Sequence, residues 1–456
     1  QERRGGYPPS SAEESRERLR FGMKLQQYTG PVQAKGMEDT SFYRYNVLLS
    51  LNEVGGDPAR FGRSVEDFHD ANAARASGWP FEMITTATHD TKLGEDVRAR
   101  INAISELPDE WGREVGRWMR INRTQRSLIH GEPAPDHADE YRFYQALAGV
   151  WPPELSGGVV PEELIRRLSE YMLKAAKEAK VHTSWQTTNQ PYEDAVERFV
   201  KGVLTGPHGA RLLAAFLPLQ RRLASLGMLN SLAQVALKIG SPGVPDFYQG
   251  TELWDLSLVD PDNRRPVDFE LRARLLDQVD ALLATSGDER TRTLSAWLAA
   301  WPDGRIKLLV TAAGLRLRRA LPTVFVGGRY LPLTTEVTVP AGAVAFARIA
   351  AGGTADEAAN VDRVGAREPA AGVRSEAVIF IAPRLCAPIV DDEHPVPIGG
   401  ERWKTSRVML PPELGQRTFR DEITGVEIRP TQAGESSWIF IGEALSTLPI
   451  AILRAI

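Results

Sequence analysis

The chain has 456 residues, 25% of them charged, with a net charge of −4. That balance gives no strong field for nucleic acid or an anionic membrane. Its one cysteine, Cys386, excludes an intramolecular disulfide framework and points to a reducing, cytoplasmic compartment. No run approaches the ~18 apolar residues of a membrane span. Residues 1–6 (QERRGG) show neither an initiator Met nor the apolar core of a signal peptide, so a processed N-terminus or a piece of a longer chain is expected.

Residues 1–20 are polar, with a helix starting within 13–23. Residues 26–45 (QQYTGPVQAKGMEDTSFYRY) hold no sustained period and are expected to form a structured loop dense in charge, with Lys35, Glu38, Asp39 and Arg44. Residues 42–51 and 65–76 are helix candidates on either side of a 55–58 (GGDP) turn. Residues 81–88 (FEMITTAT) have the length and β-branched content of a buried strand. His89 and Asp90 fall at its carboxyl end, Thr91 and Lys92 follow, and 96–101 is the next helix. In a barrel of parallel strands that end carries the chemistry. A strand-end Asp can equally cap the following helix, and the spacing leaves both readings open.

From 106 to 208 the pattern turns helical, with helices expected at 111–129, 140–150, 161–180 and 192–204. In the third, Leu164, Ile165, Leu168, Met172 and Ala175 keep helical spacing, behind an acidic first turn and ahead of Lys174, Lys177 and Lys180. Residues 217–239 form a long amphipathic helix ended by 240–243 (GSPG). Residues 244–250 (VPDFYQG) are a short strand and its outgoing loop, and 269–284 is another helix. Helix, strand and helix after a helical insertion is an α/β alternation. Beyond 322, strand-like runs at 323–326, 337–339, 344–349, 377–382, 407–410, 418–421 and 438–442 predict an antiparallel β domain, with 352–375 as a loop within it. The expected divisions are 1–105, 106–208, 209–321 and 322–456.

No Walker, GxGxxG, GxSxG or HExxH motif occurs. His130 and His137 flank Asp136 and Asp139; a solvated loop is the favoured reading over a metal site. Trp185 and Trp254 lie beside polar clusters, where an aromatic either stacks on a sugar ring or simply packs. Residues 260–265 (DPDNRR) are a charged turn whose Asp and Arg side chains are expected to satisfy one another.

Taken together, 29–40 (TGPVQAKGMEDT), 52–58 (NEVGGDP), 86–92 (TATHDTK), 180–185 (KVHTSW), 243–250, 259–268 (VDPDNRRPVD) and 403–405 (WKT) make the chain resemble the maltooligosyl trehalose synthases of the α-amylase superfamily. The resemblance implies an α/β fold: a (β/α)8 TIM barrel with a helical insertion, followed by an antiparallel β domain, with this chain as the C-terminal part. It implies an intramolecular transfer that converts the reducing-end α-1,4 bond of a maltooligosaccharide into an α,α-1,1 bond. No cofactor and no metal are implied. Asp90 matches the third of three superfamily carboxylates, the one that stabilises the oxocarbenium-like transition state, and His89 would bind sugar beside it. Lys92, Lys35, Glu38 and Asp39 are candidates for holding the neighbouring glucose, with Trp185 and Tyr248 as aromatic contacts. The superfamily's nucleophile Asp and acid/base Glu lie on earlier strands, and no Gly-Phe-Arg-x-Asp-like strand occurs here. The expected partners are therefore a maltooligosaccharide and the N-terminal part of the same enzyme, with no nucleic acid and no membrane. An amylase-type hydrolase and a non-catalytic glucan-binding piece remain the other readings.

Overall fold

A computed structural model describes residues 11–155, 157–350 and 376–456; the loop expected at 352–375 lies outside them. The described chain is a mixed α/β protein: helices around one long central helix, a short parallel strand pair, and antiparallel sheets at the C-terminal end.

Helix α1 spans Ala12–Gln33. Ser11 Oγ accepts the Glu14 N–H and Glu14 returns a bond to the Ser11 N–H, a capping box that starts it. It runs past Pro31 into a wide turn at Ala34–Glu38, so the first half of the expected 26–45 loop is helical. The helix expected at 42–51 is two short turns, Ser41–Tyr43 and Leu49–Leu51. Side chains take the backbone groups a helix would use: Asn52 Nδ2 donates to the Phe42 and Tyr45 carbonyls, and the Leu49 N–H donates to Gln145 Oε1 at 2.9 Å.

Helix α2 (Val65–Gly78) leads to β1, which is only Met83–Ile84. The longer buried strand expected at 81–88 does not form. Beyond Ile84 the threonines bond locally, Thr85 Oγ1 to the Ala87 carbonyl and Thr91 Oγ1 to the Thr88 carbonyl, and turn the chain out of the strand.

Helices α3 (Glu95–Ala103) and α4 (Pro108–Asn122) follow. The helix expected to reach 129 stops at Asn122. Strands β2 (Ser127–Ile129) and β3 (Glu132–Ala134) form a hairpin whose turn residues His130 and Gly131 both have positive φ, 53° and 89°. Helices α5 (His137–Val150), α6 (Glu162–Ala179) and α7 (Gln190–Leu204) match the pattern closely.

Helix α8 (Gly206–Gly240, 35 residues) organises the core. It is long and apolar enough to cross a membrane by length and composition, yet 78% of its most apolar window is buried inside the protein. Gly227 lets α3 approach; a Cβ there would stand 2.9 Å from the Arg100 Cα. Gly240 meets the rings of Phe346 and Phe380, which a Cβ would approach to 2.7–2.8 Å. The carbonyls at the end of α8 are capped by Arg318, 2.6 Å from the Ile239 oxygen, and Arg348, 3.1 Å from the Gly240 oxygen.

Strand β4 (Val244–Pro245) pairs parallel to β1, with Met83 opposite Val244. Helix α9 (Phe269–Ala284) was expected; α10 (Gly287–Ala299) and α11 (Arg305–Ala320) were not. The run 323–326, expected as a strand, is a helical turn, α12 (Pro322–Phe325), with Pro322 at its first position.

Next come β5 (Arg329–Leu333), β6 (Thr335–Glu336), β7 (Gly342–Ile349), β8 (Ala377–Arg384), β9 (Arg407–Leu410), β10 (Phe419–Asp421), β11 (Glu427–Ile428), β12 (Thr431–Ala433), β13 (Ser436–Phe440) and β14 (Ala451–Ala455). They form antiparallel sheets in the orders β11-β10-β14-β8-β7-β5 and β12-β13-β9-β6.

Candidate active-site rim

Because β1 and β4 run parallel, their carboxyl ends emerge on one side. Asp246, Phe247 and Tyr248 follow β4 directly, and His89 and Asp90 lie on the loop that leaves β1.

Fixed charges anchor the base of this pair. Lys307 of α11 is fully buried and donates to Glu95 Oε1 and Asp96 Oδ2, both at 2.7 Å. Lys238 of α8 donates to Thr86 Oγ1 at 2.8 Å and to the Asp246 carbonyl at 2.9 Å, so it ties the two strand ends together. For Lys307 burial works against the charge, but Asp96 and Glu95 more than offset it and its pKa is raised. Lys238 has weaker partners, and burial pulls it down to about 8.

The His89–Asp90 tip is held from two sides. Asn263 Nδ2 donates to the His89 carbonyl at 3.1 Å. Glu53 accepts the Lys92 N–H at 2.8 Å and pairs with Arg98 at 2.7 Å. The Asp90 N–H donates to Thr88 Oγ1 at 3.1 Å, and the His89 and Asp90 side chains are exposed. Helix α3 has Gly94 as its N-cap, which removes the reading of Asp90 as a helix cap.

Lys92 turns inward. Its ammonium lies 2.9 Å from Asp39 Oδ1 and 6.0 Å from the centre of the Tyr43 ring. Lys35 pairs with the other oxygen of Asp39. Burial pushes the Asp39 carboxyl up, yet hydrogen bonds from Lys35 and Lys92 outweigh it and the pKa is lowered. Lys35 is raised, first by its bond to Asp39, with smaller contributions from Glu178 and Asp90. Glu38 accepts the Gly55 N–H at 3.2 Å.

The facing wall is the end of α6. Arg44 donates to the Ala179 carbonyl at 2.6 Å and Lys180 to Thr40 Oγ1 at 2.8 Å. Trp185 bonds Glu178 at 3.0 Å, and Lys177 lies 4.8 Å from the centre of its ring.

Of the eight singled-out residues, then, Lys35, Asp39 and Lys92 are in direct contact. Asp90 acts on Lys35 through its charge alone, Trp185 reaches the group's edge through Glu178, and the exposed His89 side chain makes no described contact with the three. Glu38 faces the adjoining 52–58 turn. Tyr248 follows the neighbouring strand end, where its carbonyl accepts from Thr251, and no described contact joins its side chain to the three.

Sequence reasoning missed Glu53, Asn263 and Arg167 as supports. Arg167 of α6 grips Asp262 with two bonds of 2.8 Å, beside Asn263. The 260–265 turn is therefore clamped by the helical block more than by itself; Lys174 also holds Asp260 at 2.6 Å. Trp254 donates to the Trp301 carbonyl and packs on that ring, the plain packing alternative. Asp136 caps α5 and pairs with His182 at 2.7 Å, while Tyr192 bonds Asp139 at 2.7 Å. Among the described residues no cluster of His, Cys, Asp and Glu could hold a metal ion.

A parallel strand pair braced by helices and followed by antiparallel sheets defines a mixed α/β protein. Comparison with known proteins makes this particular: the chain is related to the maltooligosyl trehalose synthases. It is 41% identical over 326 residues to proteins of two Mycobacterium tuberculosis strains to which that activity is assigned. The match covers 72% of this chain and 37% of theirs, so the chain spans well under half the length of these curated relatives. The solved maltooligosyltrehalose synthase of Arthrobacter ramosus matches 95% of the chain at 33% identity and TM-score 0.71, over 46% of its own length. A hypothetical maltooligosyl trehalose synthase of Sulfolobus tokodaii matches 97% at 30% identity and TM-score 0.67, over 48% of its length. No family model matches the chain.

Proposed function

We propose that the chain contributes the reducing-end side of a maltooligosyl trehalose synthase site, in trehalose biosynthesis. The observation that carries this reading is the Lys35–Asp39–Lys92 group beside the exposed Asp90 tip, on a chain whose relatives bear that name. In the proposed reaction the terminal α-1,4 bond breaks onto an enzyme carboxylate. The freed glucose turns in place, and its anomeric hydroxyl attacks to form the α,α-1,1 bond.

Asp90 stabilises the positive charge that develops at the anomeric carbon, and His89 hydrogen-bonds the same sugar. Lys35, Glu38, Asp39 and Lys92 hold the freed glucose. Asp39, kept ionised by its two lysines, accepts from sugar hydroxyls and the lysines donate to them. Trp185 and Tyr248 offer faces to sugar rings and help exclude water.

Retaining chemistry needs a nucleophile and an acid/base only ~5 Å apart. We assign both to polypeptide beyond these 456 residues. In the same reading β1 and β4 are late strands of a (β/α)8 barrel. The divisions are then barrel segment 1–105, helical insertion 106–208, last barrel strand and helices 209–321, and β domain 322–456, and the setting is cytoplasmic.

The test is Asp90→Asn in the assembled enzyme. Turnover is expected to fall at least about a hundredfold with an unchanged melting temperature; near-normal turnover would remove Asp90 from the site.

A further inference from the structure

Tyr43 stands between the rim and the helical block. Its side chain is buried and packs with Ala175 and Ala179 of α6. Two cations share its ring: the Lys92 ammonium lies 6.0 Å and the Arg142 guanidinium 5.6 Å from the ring centre. Burial pushes the Tyr43 hydroxyl far above its ordinary range, so both cations meet a neutral ring and not a phenolate.

Arg142 of α5, itself buried, fixes where that ring stands. It donates to the Tyr43 carbonyl, to Asn46 Oδ1 and, at 3.3 Å, to the Tyr171 hydroxyl. Gln145, one turn further along α5, donates to the Asn46 carbonyl at 2.8 Å and accepts the Leu49 N–H at 2.9 Å. Residues 44–48 have no helix or strand of their own, so these buried side chains supply the bonds that hold them.

Lys92 has three donors. Among the described residues its ammonium makes one hydrogen bond, to Asp39 Oδ1 at 2.9 Å. That bond alone would let the ammonium swing. The Tyr43 ring gives it a second fixed contact that uses none of its donors.

We propose that Tyr43, set in place by Arg142, is a positioning residue for Lys92: it orients the ammonium so that its remaining donors meet the freed glucose and hold it while it turns. The inference rests on the reading of Lys92 as a glucose contact and deepens it, because it makes the helical block responsible for how firmly the intermediate is kept. When the glucose is held badly, water attacks the glycosyl carbon first, and one maltopentaose and one water become maltotetraose and glucose.

The test counts released glucose against non-reducing product, with maltopentaose and the assembled enzyme. That ratio is set after the α-1,4 bond has broken, so it does not change with the amount of enzyme that is folded. Tyr43→Leu is expected to raise the glucose share about threefold to tenfold, and Tyr43→Phe to leave it near the wild type. Lys92→Met should raise it as much as Tyr43→Leu, and the double variant no further. Arg142→Lys keeps the buried charge but loses the forked contacts, so it should raise the share too; it replaces Tyr43→Leu if that variant does not fold. A Tyr43 that only packs would lower the melting temperature and leave the share alone. That outcome, or additive effects in the double variant, overturns the proposal. Reductive methylation of Lys92 without substrate, read by peptide mass spectrometry, tests the hold on the lysine directly. It should quicken in Tyr43→Leu and not in Tyr43→Phe, and unchanged labelling in both overturns the proposal. No non-reducing product at all, or an unchanged share in Lys92→Met, with labelling that still follows the ring, would sink the glucose reading and keep Tyr43 as the hold on Lys92.

Discussion

Lys92 and Asp421 carry charges whose surroundings make opposite demands. Lys92 bridges the strand tip to Asp39, and Lys92→Met keeps the stem while deleting the bridge. In the assembled enzyme we expect maltopentaose affinity to fall about tenfold, since one charge-assisted contact is lost, with little change in fold. Calorimetric titration giving wild-type affinity would remove Lys92 from the glucose site. Asp421 is buried in the β10–β11 turn, where it accepts the Ile423 and Thr424 N–H groups; burial outweighs these bonds and raises its pKa from 3.8 to about 7. The folded value lies above the unfolded one, so the folded state keeps the proton longer. Stability is therefore highest below the unfolded pKa and declines as pH rises toward the folded one. The loss is complete above it, on the order of 4 kcal/mol. Asp421→Asn should melt higher than the wild type at about pH 8 and much like it at about pH 4. A gain independent of pH would mean that the carboxyl does not titrate in this range.

Elements explain what was legible and what was not. Helices α5, α6 and α7 follow local signals, so their spacing and caps located them closely. His89 and Asp90 were read as the tip of a strand over 81–88, but β1 ends at Ile84 and the pair follows it after a loop held by Thr85 and Thr91. Strand β1 was overread. Its length depends on neighbours and on threonines that bond back to their own backbone, and periodicity reports neither. Glu53 and Asn263 were missed as supports because each acts on a loop far away in the chain; only their place inside quoted motifs hinted at a role. Helix α11 went unread, and with it Lys307. Replacing that residue with Met leaves Glu95 and Asp96 without their shared cation in a buried site, which should cost about 3–5 kcal/mol in a urea titration. A loss under 1 kcal/mol would show that water or Lys238 takes its place. Asn263→Ala should leave the fold standing and speed amide exchange at residues 90–92; unchanged exchange would end its role as a clamp on the tip.

At the scale of the whole molecule, some of the exposed apolar residues are grouped. Met83 and Val244 face each other across the β1–β4 pair, with Leu385 lining the same cavity as Met83, and α1 presents Phe21, Leu25, Tyr28 and Val32 at helical spacing with none of its residues buried. Open strand edges and apolar stripes of this kind invite association. Kept alone, the chain is therefore expected to form dimers or aggregates; a compact, stable monomer in sedimentation would count against the open-edge account. The broad α/β pattern and the antiparallel sheets could be anticipated from composition shifts and turns. A cavity of about 750 Å³ could not, because it is made where α2, α8 and the β7–β8 sheet meet.

The measurement that bears most directly on the central claim is reducing-end content over time, with maltopentaose and the chain assembled with its complementing polypeptide. The account predicts a fall matched by a non-reducing product with an α,α-1,1 bond. A rise would mean that water takes the intermediate and the enzyme is a hydrolase. No change in a verified one-to-one complex would mean that the rim around Lys35, Asp39, Asp90 and Lys92 does not work on the reducing end.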